Sequence, residues 1–292
     1  MTELVKQLFF TISNYIPVAE YSPSVCKYMN DLVSTIQKTS ISIENTKCLK
    51  TLSQMEGLCS IETFELIEMF QTLPIKATQA SINVLHFSVY TLPPFKWLRK
   101  NNTDQHVIFN ASLTETIHLN NKYNVISCSS FRENEYENAV NAIFQMCISV
   151  ENQEQKGVCI LKYNDTFLKI SLEMIMFFSR FYEKTFIFKP SISDVSTGCK
   201  YIVFNGFLPM TKSKRDLNMS LYLQMFSSRK NGQFVHGILK EDIPLFFTSK
   251  LEEINSIYVQ PRFEYLKQMI DYSETKDCNV KCQEWFNKYM AK

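Results

Sequence analysis

GVCILKYNDTFLKISLEMIMFFSRFYEKTFIFKPSISDVSTGCKYIVFNGF, residues 157–207, is the stretch on which the fold reading rests. Its first apolar run, Val158–Tyr163, has the length and composition of a buried strand. Thr166–Tyr182 is apolar on every side, as a helix enclosed within a fold is. Thr185–Phe188 and Lys200–Phe207 read as two more strands, separated only by Lys189–Cys199, which carries no helical pattern. A parallel crossover usually brings a helix with it, so this short link predicts an antiparallel last strand.

Working upstream, the same texture continues. Ile82–Val89, His106–Asn110 and Asn124–Cys128 are strand candidates, and a helix with Tyr136, Val140, Ile143, Phe144 and Cys147 along one face follows them. Alternating strands and helices predict an α/β fold with a mixed sheet, mostly parallel with one antiparallel strand. Leu4, Val5, Leu8, Phe9 and Ile12 have the spacing of one helical face, which predicts a helix over residues 3–15. A second helix is predicted after Ser60, with Glu62 in its first turn, Phe64, Ile67 and Phe70 on one side, and Pro74 as its stop. Downstream, Leu217–Phe226, Phe263–Ile270 and Val280–Tyr289 read as helical. The chain thus divides into an N-terminal helical extension (1–80), an α/β core (81–210) and a C-terminal helical region (211–292) packed on it as one domain.

Composition bounds the function. The 292 residues are 45% hydrophobic with 23 phenylalanines, which suits one sizeable packed core. A net charge of +2 gives no global footprint for nucleic acid, so any RNA contact must be local. Apolar runs such as Met174–Phe178 are too short to cross a bilayer, and Met1–Tyr15 lacks the basic start and cleavage site of a signal peptide. A soluble protein retained inside the cell is expected. The 9 cysteines are scattered and odd in number, so reduced thiols are expected. Cys278 and Cys282 form one CxxxC with no second pair, which does not make a metal site. The four histidines, His86, His106, His118 and His236, are dispersed and read as structural.

The opening stretch resembles the C-terminal half of the FtsJ-type RNA 2′-O-methyltransferases, in which a strand ends in a catalytic lysine, a helix crosses over, and a strand ends in Lys-Pro. A serine-containing loop and an antiparallel strand beginning Glu-x-Tyr follow. Lys162, Lys189-Pro190 and Tyr201 occupy the matching positions. The chemistry of such an enzyme needs a glycine-rich turn for the methyl donor, an acid for its ribose, and a lysine of lowered pKa held by carboxylates. This chain fails nearly all of these demands, and only Lys162 survives. No glycine lies between Gly57 and Gly157, and the turn reads HFSVYTLPPF from His86 to Phe95. Asn110 and Ser129 stand where acids are expected, and Cys199 replaces the glutamate before Tyr201. Lys162 is left without carboxylates at the matched positions and reads as a strand-end lysine in a surface cleft. No cofactor, metal or catalytic residue is therefore expected.

Over most of its length, at low identity, the chain resembles the small-subunit family of poxvirus mRNA-capping enzymes, which has this fold without a competent cofactor site. Glu3-Leu4-Val5-Lys6 at the start and the strand end Ile160-Leu161-Lys162 carry that likeness. The resemblance implies a non-catalytic regulatory subunit that forms a heterodimer with the large catalytic capping subunit and allosterically stimulates its guanine-N7 methyltransferase. It also implies roles in viral transcription termination and initiation, and a place in the host cytoplasm and the virion. An active cap 2′-O-methyltransferase with a drifted cofactor loop, or a virion scaffold protein, are the alternatives. Candidate partner contacts are the aromatics Phe246, Phe247, Tyr258, Phe263, Tyr265, Trp285, Phe286 and Tyr289, against which ordinary core packing competes. Candidate contacts to the RNA 5′ end are Lys96, Arg99 and Lys100, and Lys212, Lys214, Arg215, Arg229 and Lys230.

Overall fold

A computed structural model describes residues 8–38, 60–75, 80–100, 102–109, 119–129, 134–271 and 278–290. Glu3–Lys6, Cys48, Cys59, Asn110 and His118 lie outside the described residues.

The main sheet has six strands: β2 (Asn83–His86), β3 (Gln105–Ile108), β4 (Tyr123–Ser129), β5 (Gln153–Tyr163), β6 (Tyr182–Phe188) and β7 (Lys200–Phe207), in the order β3-β2-β4-β5-β7-β6. β3, β2, β4 and β5 run parallel, and β7 is antiparallel to both of its neighbours. The antiparallel strand expected from the short link is thus present, inserted between β5 and β6. Its register sets Lys162 opposite Tyr201.

Period-2 alternation sends side chains to two apolar layers. Val84, Val125, Val158, Ile160, Tyr201 and Val203 meet Leu66 and Met69 of α2 (Ile61–Thr72) and Phe95 of α3 (Leu92–Leu98). On the other face Leu85, Ile126, Leu161, Ile202 and Phe204 pack with α4 (Glu135–Asn152), α5 (Lys169–Ser179) and α6 (Lys212–Lys230). Helix starts follow local chemistry: the side chains of Ser60, Asn134 and Thr211 accept the amides of Glu62, Glu137 and Lys214. α1 (Pro23–Lys38) lies against the long helix α7 (Leu245–Ile270), and α8 (Cys278–Tyr289) joins α2 through Phe64, Ile67 and Trp285.

Three expectations need correction. Leu8–Ser13 is a strand, β1, not a helix, because β8 (Phe234–Leu239) supplies an antiparallel partner, pairing Leu8 with Leu239 and Ile12 with Val235. Apolar residues at 8, 9 and 12 fit either period, and a partner more than 200 residues away decided between them. β8 makes the C-terminal region more than helical. Finally, Cys282 is disulfide-bonded, whereas Cys26, Cys128, Cys147, Cys159 and Cys199 are free thiols as expected.

Candidate functional site

Lys162 stands at the carboxyl end of β5, where open α/β sheets characteristically carry their sites. It is not the isolated strand-end lysine expected from the matched positions. Glu62 and Glu65, one turn apart on α2, reach its Nζ at 3.1 and 3.0 Å, and Glu65 also accepts the Tyr201 hydroxyl at 2.7 Å. The next residue of the same stripe, Glu68, accepts from Ser191 N, Ser191 Oγ, Ile192 N and, at 2.7 Å, Trp285 Nε1. A three-residue spacing of carboxylates thus pins the strand ends, the loop after β6 and the C-terminal helix to one helix face. The signal is present in the sequence as IETFELIE, and burial places Glu65 and Glu68 inside, at 2% and 4% exposed.

The electrostatics follow from this enclosure. Burial disfavours the Lys162 ammonium, but the carboxylates of Glu65 and Glu62 outweigh it and raise its pKa above the usual lysine value. Burial likewise opposes ionisation of Glu62, yet Lys162 and the Ser60 hydroxyl hold its carboxyl below the ordinary range. The ion pair therefore contributes stability that is lost as pH falls below the usual glutamate range or rises above that of lysine. A lysine so held keeps its proton at neutral pH.

Beyond β2 and β4, described side chains pack against one another. Phe87 meets Phe109 edge-on at 5.7 Å. His86 is fully buried, bonds Thr91 through Nδ1 at 2.9 Å and His106 through Nε2 at 3.0 Å, so two histidines distant in sequence are partners in space. Burial, then His106 and Lys96, lower His86 to about 3, so it stays neutral. Ser129 exchanges two backbone bonds with the Gln145 amide, at 3.0 and 2.9 Å. Cys199 is buried beside Lys162, and burial raises its thiol. Among the described residues, no group of three or more His, Cys, Asp or Glu is arranged to hold a metal ion, and no helix is long and apolar enough to cross a membrane.

Glu135 shows the cost of an enclosed acid that, among the described residues, has no cation in ion-pair contact. It accepts from Phe167 N, Leu168 N and Ser171 Oγ at the start of α5, while burial lifts its carboxyl to about 6 from 4.5. The folded chain then binds more protons than the unfolded one between these values, so stability falls as pH rises through them. Glu135→Gln, which keeps the accepting oxygen, is expected to remove about 2 kcal/mol of that fall, read by urea unfolding at pH 4.5 and 7.

Most of the candidate partner aromatics belong to the chain's own packing. Trp285 and Tyr289 are buried with Phe64, and Phe286 packs beside them. Phe263 stacks on Tyr28, Tyr265 joins the α1–α7 cluster, Phe247 leans on the main core, and Tyr258 donates to Ile187 O at 3.5 Å. Phe246 alone of that set is strongly exposed, at 76%, beside Leu245 at 81%. The basic residues form no single surface. Lys96 and Lys100 lie at α3 on one face of the sheet, with Arg99 bound to Asp104 at 2.5 and 3.0 Å. The others lie on α6 on the opposite face, where Arg215 pairs with Glu151, Arg229 with Glu137, and Lys214 donates to Arg180 O. Lys212 and Lys230 are exposed.

Comparison with known proteins adds a distant viral relative. The chain is 26% identical over 139 residues to an uncharacterised protein of Acanthamoeba polyphaga mimivirus, covering 48% of this chain and 35% of that protein. It therefore spans about a third of that relative's length. Among solved structures, a methyltransferase from Pyrococcus furiosus aligns over 64% of this chain and 100% of its own, with 12% identity and a TM-score of 0.32. No family model matches the chain.

Proposed function

We propose that the chain is a non-catalytic, methyltransferase-like regulatory subunit of a viral mRNA-capping enzyme, which binds the large catalytic subunit and stimulates its guanine-N7 methyltransferase. The observation that carries this reading is the packing beside β2, where Phe87, Phe109 and the pair of buried His86 with His106 stand in place of a glycine turn. The viral relative supports it, as does Lys162, whose carboxylates Glu62 and Glu65 come from α2 and not from the matched strand ends. The antiparallel β7 between β5 and β6 is the arrangement the family resemblance implies.

Stimulation without chemistry is a difference in affinity: the subunit must bind the competent methyltransferase more tightly than the slack one. A hundredfold effect corresponds to about 2.7 kcal/mol, which a modest apolar contact can supply. Leu245 and Phe246 at the start of α7 are exposed apolar residues available for such a contact, as are Tyr15 and Val18.

Co-expression with a candidate large capping subunit tests the proposal. A co-purifying heterodimer with raised N7 methylation is expected, and Phe246→Asp is expected to weaken both. Failure of the wild-type pair to co-purify or to gain activity rejects the regulatory reading in favour of a scaffold. Micromolar binding of S-adenosylmethionine to the chain alone, by calorimetry, would instead favour an active 2′-O-methyltransferase.

A further inference from the structure

Independent of the regulatory reading, a second cationic cluster, faced by Asp165 and Glu135, lies beside the Lys162 site. Lys200 opens β7, is 3% exposed, and donates to Asn164 O at 2.5 Å. Lys189 follows β6 and donates to Thr197 O at 2.6 Å. Among the described residues, each ammonium has a backbone carbonyl and no carboxylate within ion-pair range.

The acids nearby are already committed. Asp165 holds Arg262 Nη1 at 3.2 Å through both oxygens, and Glu135 takes the amides at the start of α5. Arg262 also donates to Ser196 O at 2.9 Å, bringing a third cation to the same loop. Burial, then Lys200, with Arg262 adding to them, lower Lys189 to about 8, and Asp165 offsets them only in part. In the loop that joins the two lysines, Ser193 is 4% exposed and its hydroxyl has no partner among the described residues, nor has the buried Oδ1 of Asn164. Lys189, Thr197 and Gly198 are only half-buried, so the cluster opens at the sheet's edge.

Enclosed cations are costly unless an anion joins them. We propose that Lys189, Lys200 and the Ser193 hydroxyl form a binding site for a phosphate group, carried by a free nucleotide or by the 5′ end of an RNA. Several acceptor oxygens and a charge approaching two match two ammoniums and a hydroxyl better than a carboxylate does.

Thermal unfolding of the full chain with inorganic phosphate, GTP or a 5′-triphosphorylated RNA oligonucleotide, against chloride at equal ionic strength, tests the site. Phosphate-bearing probes are expected to raise the wild-type Tm. Stabilisation by inorganic phosphate and GTP identifies a free nucleotide; stabilisation by RNA alone identifies an RNA end. Lys200→Met is expected to match or exceed the ligand-free wild-type Tm, since it removes an unpaired buried charge, while weakening phosphate binding about tenfold or more. Lys189→Met should weaken binding similarly. The proposal falls if no probe acts beyond chloride, or if both variants respond as the wild type does. Should the variants not fold, lysine acetylation of the wild-type chain decides: phosphate must slow labelling of Lys189 but not of Lys212 or Lys230, and equal rates overturn the site.

Discussion

Glu65→Ala is expected to destabilise the chain by about 3–5 kcal/mol, because it strips the enclosed Lys162 ammonium of its more deeply buried counter-ion. The Glu65 side chain is 3% exposed and that of Lys162 11%, so water cannot readily substitute. The Tyr201 hydroxyl loses its acceptor in the same step. Glu62, with its side chain at 27%, lies nearer solvent, and Glu62→Ala is expected to cost less. An apolar replacement of the whole group, Glu65→Leu with Lys162→Met and Tyr201→Phe, is expected to recover most of the loss, since a well-packed apolar set can stand in for a buried ion pair. Urea unfolding of the four proteins checks this. Equal stability of Glu65→Ala and wild type would refute the charge account of the site. Under the regulatory proposal the apolar set also leaves N7 stimulation of the heterodimer intact.

The second large effect is expected at Trp285. Trp285→Ala should cost about 3–5 kcal/mol by opening a cavity against Phe64. It also removes a 2.7 Å donor from buried Glu68. Trp285→Phe keeps the packing and loses the indole N–H, for about 1–2 kcal/mol. Because Glu68 ties α8, α2 and the loop at Ser191 together, hydrogen exchange should quicken in all three for Trp285→Ala. Exchange that quickens only in α8 would mean that the helix is held by contact alone.

Periodicity and spacing made the α/β core legible. The runs that became β4, β5 and β7, the enclosed α5, and the helix after Ser60 all carry their own local signals, and the short Lys189–Cys199 link carried the antiparallel sense of β7. These are properties of neighbouring residues, which chain geometry alone constrains. The absence of glycine around His86–Phe95 was equally plain, because a missing residue type needs no fold to be seen.

What depended on distance in the chain was not legible. β1 read as a helix because its partner β8 lies at the other end of the sequence. Lys162 read as unpaired because its carboxylates come from α2, about a hundred residues earlier, and not from the strand ends where the family would place them. His86 and His106 met across two strands, and most aromatics set aside for a partner were used in the chain's own core. Sequence specifies the period of each segment; which faces meet, and whether a charge is enclosed or solvated, is decided only when the whole chain competes to bury apolar surface while satisfying its polar groups.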